Sequence, residues 1–194
     1  MNTASESLGD WLAALAAKRP TPGGGGAAAA AAAIGNAVGA MAVAYTTGKR
    51  WADQAAEVAT LTARLKQRAS ALLQLADDDA AAYQALQASW RADDLPDDER
   101  QRIEAEARRV PATILQHCAG AAADLAAFTE RCNPRIVSDL HCGILLLAGA
   151  GRAAATTLAI NQPPADEARR AQADLDQLDA CEKASRPQLD RPRS

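Results

Sequence analysis

Residues 51–92, WADQAAEVATLTARLKQRASALLQLADDDAAAYQALQASWRA, run for about forty positions without a glycine or a proline. At ~1.5 Å per residue such a run makes one helix of roughly 60 Å. Stepping alternately by four and three picks out Val58, Thr62, Leu65, Ala69, Leu72, Ala76, Asp79, Tyr83, Leu86 and Trp90. That is a seam of coiled-coil spacing, and it demands a partner helix. Of the three acids Asp77, Asp78 and Asp79, only Asp79 falls on the seam. A carboxylate on a packed face costs on the order of several kcal/mol unless it is paired, and burial raises its pKa. A raised value suits a general acid or base near neutral pH. The same placement is equally consistent with an ion pair to an arginine of another helix, or with a seam that frays there.

The partner helices are visible on both sides of this run. Upstream, residues 21–39 read TPGGGGAAAAAAAIGNAVG, four glycines directly before seven alanines, with Gly35 and Gly39 continuing a small face one turn apart. A glycine-rich loop feeding a helix start offers unpaired N–H groups and the positive end of the dipole, which attract anions. Close helix packing explains the small residues equally well. The spacing is neither a P-loop nor a dinucleotide fingerprint.

Aromatic residues are only 3% of the 194, alanine is abundant, and neither strand alternation nor a hairpin signal stands out. The expected class is all-α, a bundle of five to six helices over residues 5–17, 27–47, 51–92, 97–131, 133–161 and 165–184. Several are long, and short links make them antiparallel neighbours. Pro111 should kink or split the fourth helix, and Ser7 with Asp10 reads as a capping box for the first. Residues 1–184 form a single domain in this reading, and 185–194 a disordered tail.

Net charge is −3 and the basic residues form no block, which argues against nucleic acid. An N-terminus carrying acids lacks the basic start of a secretory signal, so a cytoplasmic location is expected. The uncharged span 27–44 is long enough for a bilayer. Its Ala and Gly residues give little transfer energy, however, and Asn36 interrupts it, so no membrane role is expected. Cys118, Cys132, Cys142 and Cys181 form no CxxC pair and read as free core residues. His117-Cys118 and His141-Cys142 repeat a dipeptide, but adjacent helical residues point about 100° apart, so no metal site is expected.

Several segments carry a family resemblance. PTPGGGGAA at 20–28 and TTGKR at 46–50 resemble the opening of the formimidoyltetrahydrofolate cyclodeaminase and methenyltetrahydrofolate cyclohydrolase family. Asp79-Ala-Ala-Ala-Tyr83 resembles its D-x-x-A-[FY] segment, and Val110-Pro111 its mid-helix Val-Pro. Asn133-Pro134-Arg-Ile-Val-Ser138-Asp139 resembles its N-P-x-x-V-S-D turn, and Asn161 falls on the last Asn of its N-V-x-x-N ending. The match covers about residues 8–161. Two departures stand out. Thr157-Leu158 replaces the frequent Asn-Val, and the fourth helix looks shortened.

The resemblance implies a dimeric all-α enzyme with folate bound in clefts between helices and subunits. It implies either closure of 5-formimidoyltetrahydrofolate to the 5,10-methenyl form with loss of ammonia, or hydrolysis of the methenyl bridge to 10-formyltetrahydrofolate. Neither reaction requires a metal or redox cofactor. Asp79 is then the first candidate for acid–base work and Asp139 the second, with Asp139 equally placed to pair with the pterin ring's N–H edge. In the residues alone, Asp139 and Ser138 read as well as turn or cap stabilisers. Pro22, Gly23, Gly24, Gly25, Gly26, Lys49, Tyr83, Asn133, Ser138, Arg152 and Asn161 are the candidate substrate contacts. Lys49 and Arg50 would attract the glutamate tail or the negative pterin edge, and Tyr83 or Trp51 would stack on the substrate, unless these aromatics are core. Arg152, the lone charge between Asp139 and Asn161, is either a ligand contact or a buried partner for an aspartate. Thr157 and the short fourth helix favour the alternative of a non-catalytic folate-binding or purely structural helical dimer.

Overall fold

The glycine- and proline-free run folds into the longest helix of the described chain. The computed structural model describes residues 2–186, and every regular element within them is helical. In chain order these are α1 (Leu8–Ala16), α2 (Gly24–Ala44), α3 (Ala55–Ser89), α4 (Asp97–Phe128), α5 (Val137–Ile160) and α6 (Ala165–Ser185). The expected class and number of helices therefore hold. The boundaries shift where local chemistry intervenes. α2 starts three residues early, inside the glycines. Gly48, at φ 101°, opens a 3₁₀ segment, Lys49–Gln54, so α3 starts later than residue 51. A second 3₁₀ segment, Thr129–Arg131, and the turn around Asn133 delay α5 to Val137.

Contacts between successive helices fix their directions. At one end of the α2/α3 pair, Gly26 lies against Ala76; at the other, Ala44 and Val58 line one hollow. Arg68 pairs with Asp124 while Arg131 reaches back to Glu57, so α4 runs against α3. Asn161 meets Ala107, and Gly151 approaches Cys118, so α5 runs against α4. Gly151 also approaches Leu178, and His141 bonds Ser185, so α6 runs against α5. Short links between long helices leave little alternative to this antiparallel arrangement.

The small residues of α2 have a clear mechanical use. A Cβ on Gly35 would lie 3.2 Å from the Gly143 carbonyl oxygen, and one on Gly143 would lie 3.1 Å from the Gly35 carbonyl oxygen. The α2 and α5 backbones thus touch at this crossing. Around it Leu65, Leu72, Ile114, Leu115, Leu125, Phe128, Ile144 and Leu147 are fully buried. The α3 seam holds from Val58 to Ala76. It then frays, since of its last members only Leu86 stays buried, Tyr83 and Trp90 being exposed while Ala82 and Ser89 take the buried side. α2 and α5 are long and apolar enough to cross a membrane by length and composition, with 56% and 44% of their apolar windows buried against the bundle.

Pro111 does not split α4, which runs from Asp97 to Phe128 with the proline inside it. Ser7 caps α1 as expected, its Oγ accepting the Asp10 N–H at 3.1 Å. Cys118, Cys132 and Cys181 are buried, but Cys142 is exposed and is no core residue, because it falls on the outward side of α5. Burial pushes the Cys118 thiol up to about 12, which keeps it protonated. Ser185, placed by the sequence in the tail, is buried and ends α6; residues 187–194 of that tail lie outside the described residues.

Candidate active site

The first turn of α2 has no side chain to cap it, because its N-cap is Gly23. Helix starts leave N–H groups without intrahelical partners, and here a carboxylate from another helix supplies one. The Gly26 N–H donates to Asp79 Oδ2 at 2.8 Å. Gly25 makes that approach feasible, since a Cβ there would lie 2.0 Å from Asp79 Oδ1. Asp79 therefore sits on the positive end of α2, with no arginine against it among the described ion pairs. Burial raises its pKa above the ordinary 3.8, and the Gly26 hydrogen bond opposes that rise in part.

Its two neighbours in sequence do other work. Asp77 accepts from the backbone N–H and the hydroxyl of Thr3, the latter at 2.7 Å, tying down the N-terminal segment. Asp78 accepts from Gln74 at 3.1 Å on the outer face.

Asp79 faces a hollow of about 330 Å³ between the glycine loop, α3, α4 and the end of α5. Gly23, Gly24, Gly25, Tyr83 and Asn161 line it with Asp79, as the sequence anticipated. Thr21, Leu86, Ala107, Thr156 and Ile160 also line it and were not foreseen. Thr21 lies in the glycine-loop motif and Leu86 on the α3 seam, but neither was read as a contact, and Ala107, Thr156 and Ile160 have no pattern to mark them. Pro22 and Gly26 do not line the hollow. Pro22 is buried beneath the loop, 3.8 Å from where a Gly26 Cβ would lie, and Gly26 contributes through its N–H. Thr157 lines the wall with its hydroxyl donated to the Ala153 carbonyl at 3.3 Å, turned back onto its own helix. Tyr83 is 37% exposed and meets Trp90 edge-on at 6.4 Å, which makes it a wall residue rather than core. Asn161 donates Nδ2 to the Ala107 carbonyl oxygen at 2.8 Å.

The other candidates do not join this hollow. Asn133 is spent on its own turn. Its N–H donates to Thr46 Oγ1 at 3.1 Å, its Nδ2 to the Tyr45 carbonyl at 3.1 Å, and its Oδ1 accepts from the Arg135 N–H at 3.0 Å. Ser138 and Asp139 lie in the first turn of α5, 3.5 Å apart, both half-buried. Neither caps that helix, whose N-cap is Ile136. Burial raises the Cys132 thiol, and the nearby Asp139 adds slightly to that rise. Lys49 is exposed at the start of the 3₁₀ segment, and Arg50 lies 5.3 Å over the Trp51 ring, occupying one face of it. These residues gather at the C-terminal end of α2, and the 21 residues of α2 separate them from Asp79 by roughly 30 Å.

Arg152 takes the second of its two expected roles, that of partner to an aspartate, though not a buried one. It is exposed and pairs with Asp179 at 2.7 Å and Glu182 at 2.9 Å, joining α5 to α6. The α5 sequence alone does not reveal that an acidic helix docks beside it.

A larger hollow of about 490 Å³ lies near Thr46, Gly48, Trp51, Thr62 and Lys66, but no carboxylate lines it. The smaller one combines an acid, helix-start N–H groups and a tyrosine, and so has the means to bind a polar planar molecule and move a proton. Among the described residues no group of three His, Cys, Asp or Glu side chains could hold a metal ion.

The family model described as formiminotransferase-cyclodeaminase matches residues 7–180. The crystal structure of formiminotetrahydrofolate cyclodeaminase from Thermotoga maritima superposes with a TM-score of 0.85 at 21% identity, covering 95% of this chain and 96% of that one. That likeness establishes the shared fold. No curated protein sequence matches the chain significantly.

Proposed function

The chain belongs to the formiminotransferase-cyclodeaminase family, and from that premise we propose that it is a folate one-carbon enzyme acting in the hollow beside Asp79. The observation that carries the reading is the Asp79 carboxylate seated on the bare glycine start of α2, open to a hollow of about 330 Å³. In the cyclodeaminase direction the substrate enters with a protonated formimidoyl group on N5. Its N10 lone pair attacks the formimidoyl carbon, forming the N10–C bond and leaving an amino group on a tetrahedral carbon. Asp79, ionised, takes the N10 proton and returns it to that amino group. The C–N bond then breaks, ammonia leaves, and the positive 5,10-methenyl bridge remains. In the cyclohydrolase direction, water adds to that bridge and loses one proton to solvent; the other passes through Asp79 to N5 as the N5–C bond breaks, giving 10-formyltetrahydrofolate.

A carboxylate raised above its usual range suits both directions, since it accepts and returns one proton within a single turnover. The glycine-loop N–H groups suit the electron-rich edge of the pteridine, and Tyr83 offers a ring to stack on. Neither path calls for a metal or a redox cofactor, and we read the location as cytoplasmic.

The working unit we propose is a homodimer. Ile34 on α2 and Leu145 and Leu146 on α5 are 48%, 41% and 39% exposed on neighbouring helices. That uncharged face fits a second copy better than water, because burying contiguous apolar surface is favourable. An antiparallel pairing of two α2 helices brings Lys49, Ser138 and Asp139 of one subunit toward the glycine loop of the other.

The test is a spectrophotometric assay with 5-formimidoyl- and 5,10-methenyltetrahydrofolate. Appearance of the methenyl chromophore from the first, or its decay with the second faster than in buffer, is the expected result. Thr157 in place of the family's Asn favours a second reading, a folate-binding relative without turnover. Binding with no change of chromophore would support that reading, and neither binding nor turnover would leave a structural dimer.

A further inference from the structure

We propose that Pro111 is a positioning residue for the substrate hollow, acting through the Ala107 carbonyl to fix the side chain of Asn161; this rests on the folate reading above. In a helix the N–H of residue 111 donates to the carbonyl of residue 107, but Pro111 has no N–H. The Ala107 carbonyl is thereby deprived of its helical donor, in a stretch where both Ala107 and Pro111 are buried. Asn161, the residue that ends α5, donates Nδ2 to that oxygen at 2.8 Å.

A carbonyl oxygen only accepts, so the contact fixes which end of the Asn161 amide meets it. Nδ2 is committed to Ala107, and Oδ1 is left as the end available to a ligand. No described residue hydrogen-bonds Oδ1, and both Asn161 and Ala107 line the hollow that holds Asp79. The hollow thus offers an oriented acceptor across from the glycine-loop donors. Such an acceptor selects for a ligand edge carrying N–H groups, as the amino-pyrimidinone edge of a pteridine does. The proline that would ordinarily be a fault in α4 becomes the reason Asn161 has a fixed orientation.

The test is a pair of mutant cycles on the full chain with Pro111→Ala, Asn161→Ala and the double variant. The first cycle reads thermal stability and needs no ligand. Pro111→Ala restores an N–H that can reach the Ala107 carbonyl, so Asn161→Ala should lower Tm clearly less in that background than in the wild type. The second reads binding of tetrahydrofolate, which has the pteridine edge but no one-carbon unit to turn over. Each single variant should weaken binding by about tenfold, and the double variant should be no weaker than either single one. Additive effects in both cycles, or wild-type affinity in Pro111→Ala, would overturn the proposal. Should Pro111→Ala fail to fold, Asn161→Asp decides it. That variant keeps the shape but sets a second acceptor against the Ala107 oxygen, and a Tm equal to wild type would count against us. Failure of the wild type to bind tetrahydrofolate would sink the folate reading, whereas the stability cycle still decides the hydrogen-bond exchange.

Discussion

Gly25 leaves free the space where its Cβ would stand, and Asp79 comes within 2.0 Å of it. A methyl group at residue 25 would take the volume of Asp79 Oδ1, so Gly25→Ala must drive the carboxylate off the α2 start. We expect that variant to lose ~1–3 kcal/mol of stability by overpacking and about a hundredfold or more in turnover, read by calorimetry and by the methenyl assay. The raised pKa of Asp79 has a definite sign as well. Its folded value lies above the unfolded one, so its contribution to stability is fully present below about 3.8 and is lost as pH rises through the folded value. Asp79→Asn, which can still accept from the Gly26 N–H, should therefore gain in Tm relative to wild type as pH climbs through that window. A melting series from pH 3 to 8 checks this, and a gap that shrinks with rising pH would contradict it. Asp79 was legible in the sequence because period alone separated it from Asp77 and Asp78. Its actual partner was not, since a backbone N–H on another helix leaves no mark on the α3 pattern. For a related reason the aspartate that pairs with Arg152 could not be named from α5, because its acids belong to α6.

At the scale of elements, α2 does two jobs with one small-residue surface. Its first turn carries the Asp79 contact, and its middle lets α5 approach until the Gly35 and Gly143 backbones meet. Leucine at residue 35 would collide with Leu147 and with that backbone, so Gly35→Leu should cost ~1–3 kcal/mol or more. Denaturant unfolding measures it, and an unchanged midpoint would mean that the helices do not cross as described. The helices themselves were largely legible, since a run without glycine or proline, acidic links and proline punctuation set their number and order. Their ends were less so. The sequence placed the start of α2 after the glycines, yet Gly24, Gly25 and Gly26 are helical, because the contact from Asp79 supplies the cap that glycine lacks. Likewise the last turns of α3 leave the strict seam, since Tyr83 borders a hollow rather than a helix.

For the molecule as a whole, two groups of candidate residues stand at opposite ends of α2, roughly 30 Å apart. A single subunit cannot bring Ser138 and Asp139 to Asp79. A two-fold pairing across the exposed face of α2 and α5 can, and it would cover Ile34, Leu145 and Leu146 at once. Sedimentation should therefore give about twice the 20.1 kDa subunit mass for the wild type. Ile34→Asp together with Leu146→Asp should give the subunit mass, with turnover reduced along with it. A wild-type mass of one subunit would contradict the shared site. The distance between the two ends of α2 was hidden in the sequence, where the motifs follow one another with no indication of how far apart the fold sets them. The central claim concerns Asp79, and its most direct measurement compares Asp79→Asn with wild type in both tetrahydrofolate binding and turnover of the formimidoyl and methenyl substrates. We predict near-equal affinity with kcat lowered ~10²–10⁴-fold; turnover within a factor of two of wild type, with folding and binding intact, would contradict the assignment of proton transfer to this carboxylate.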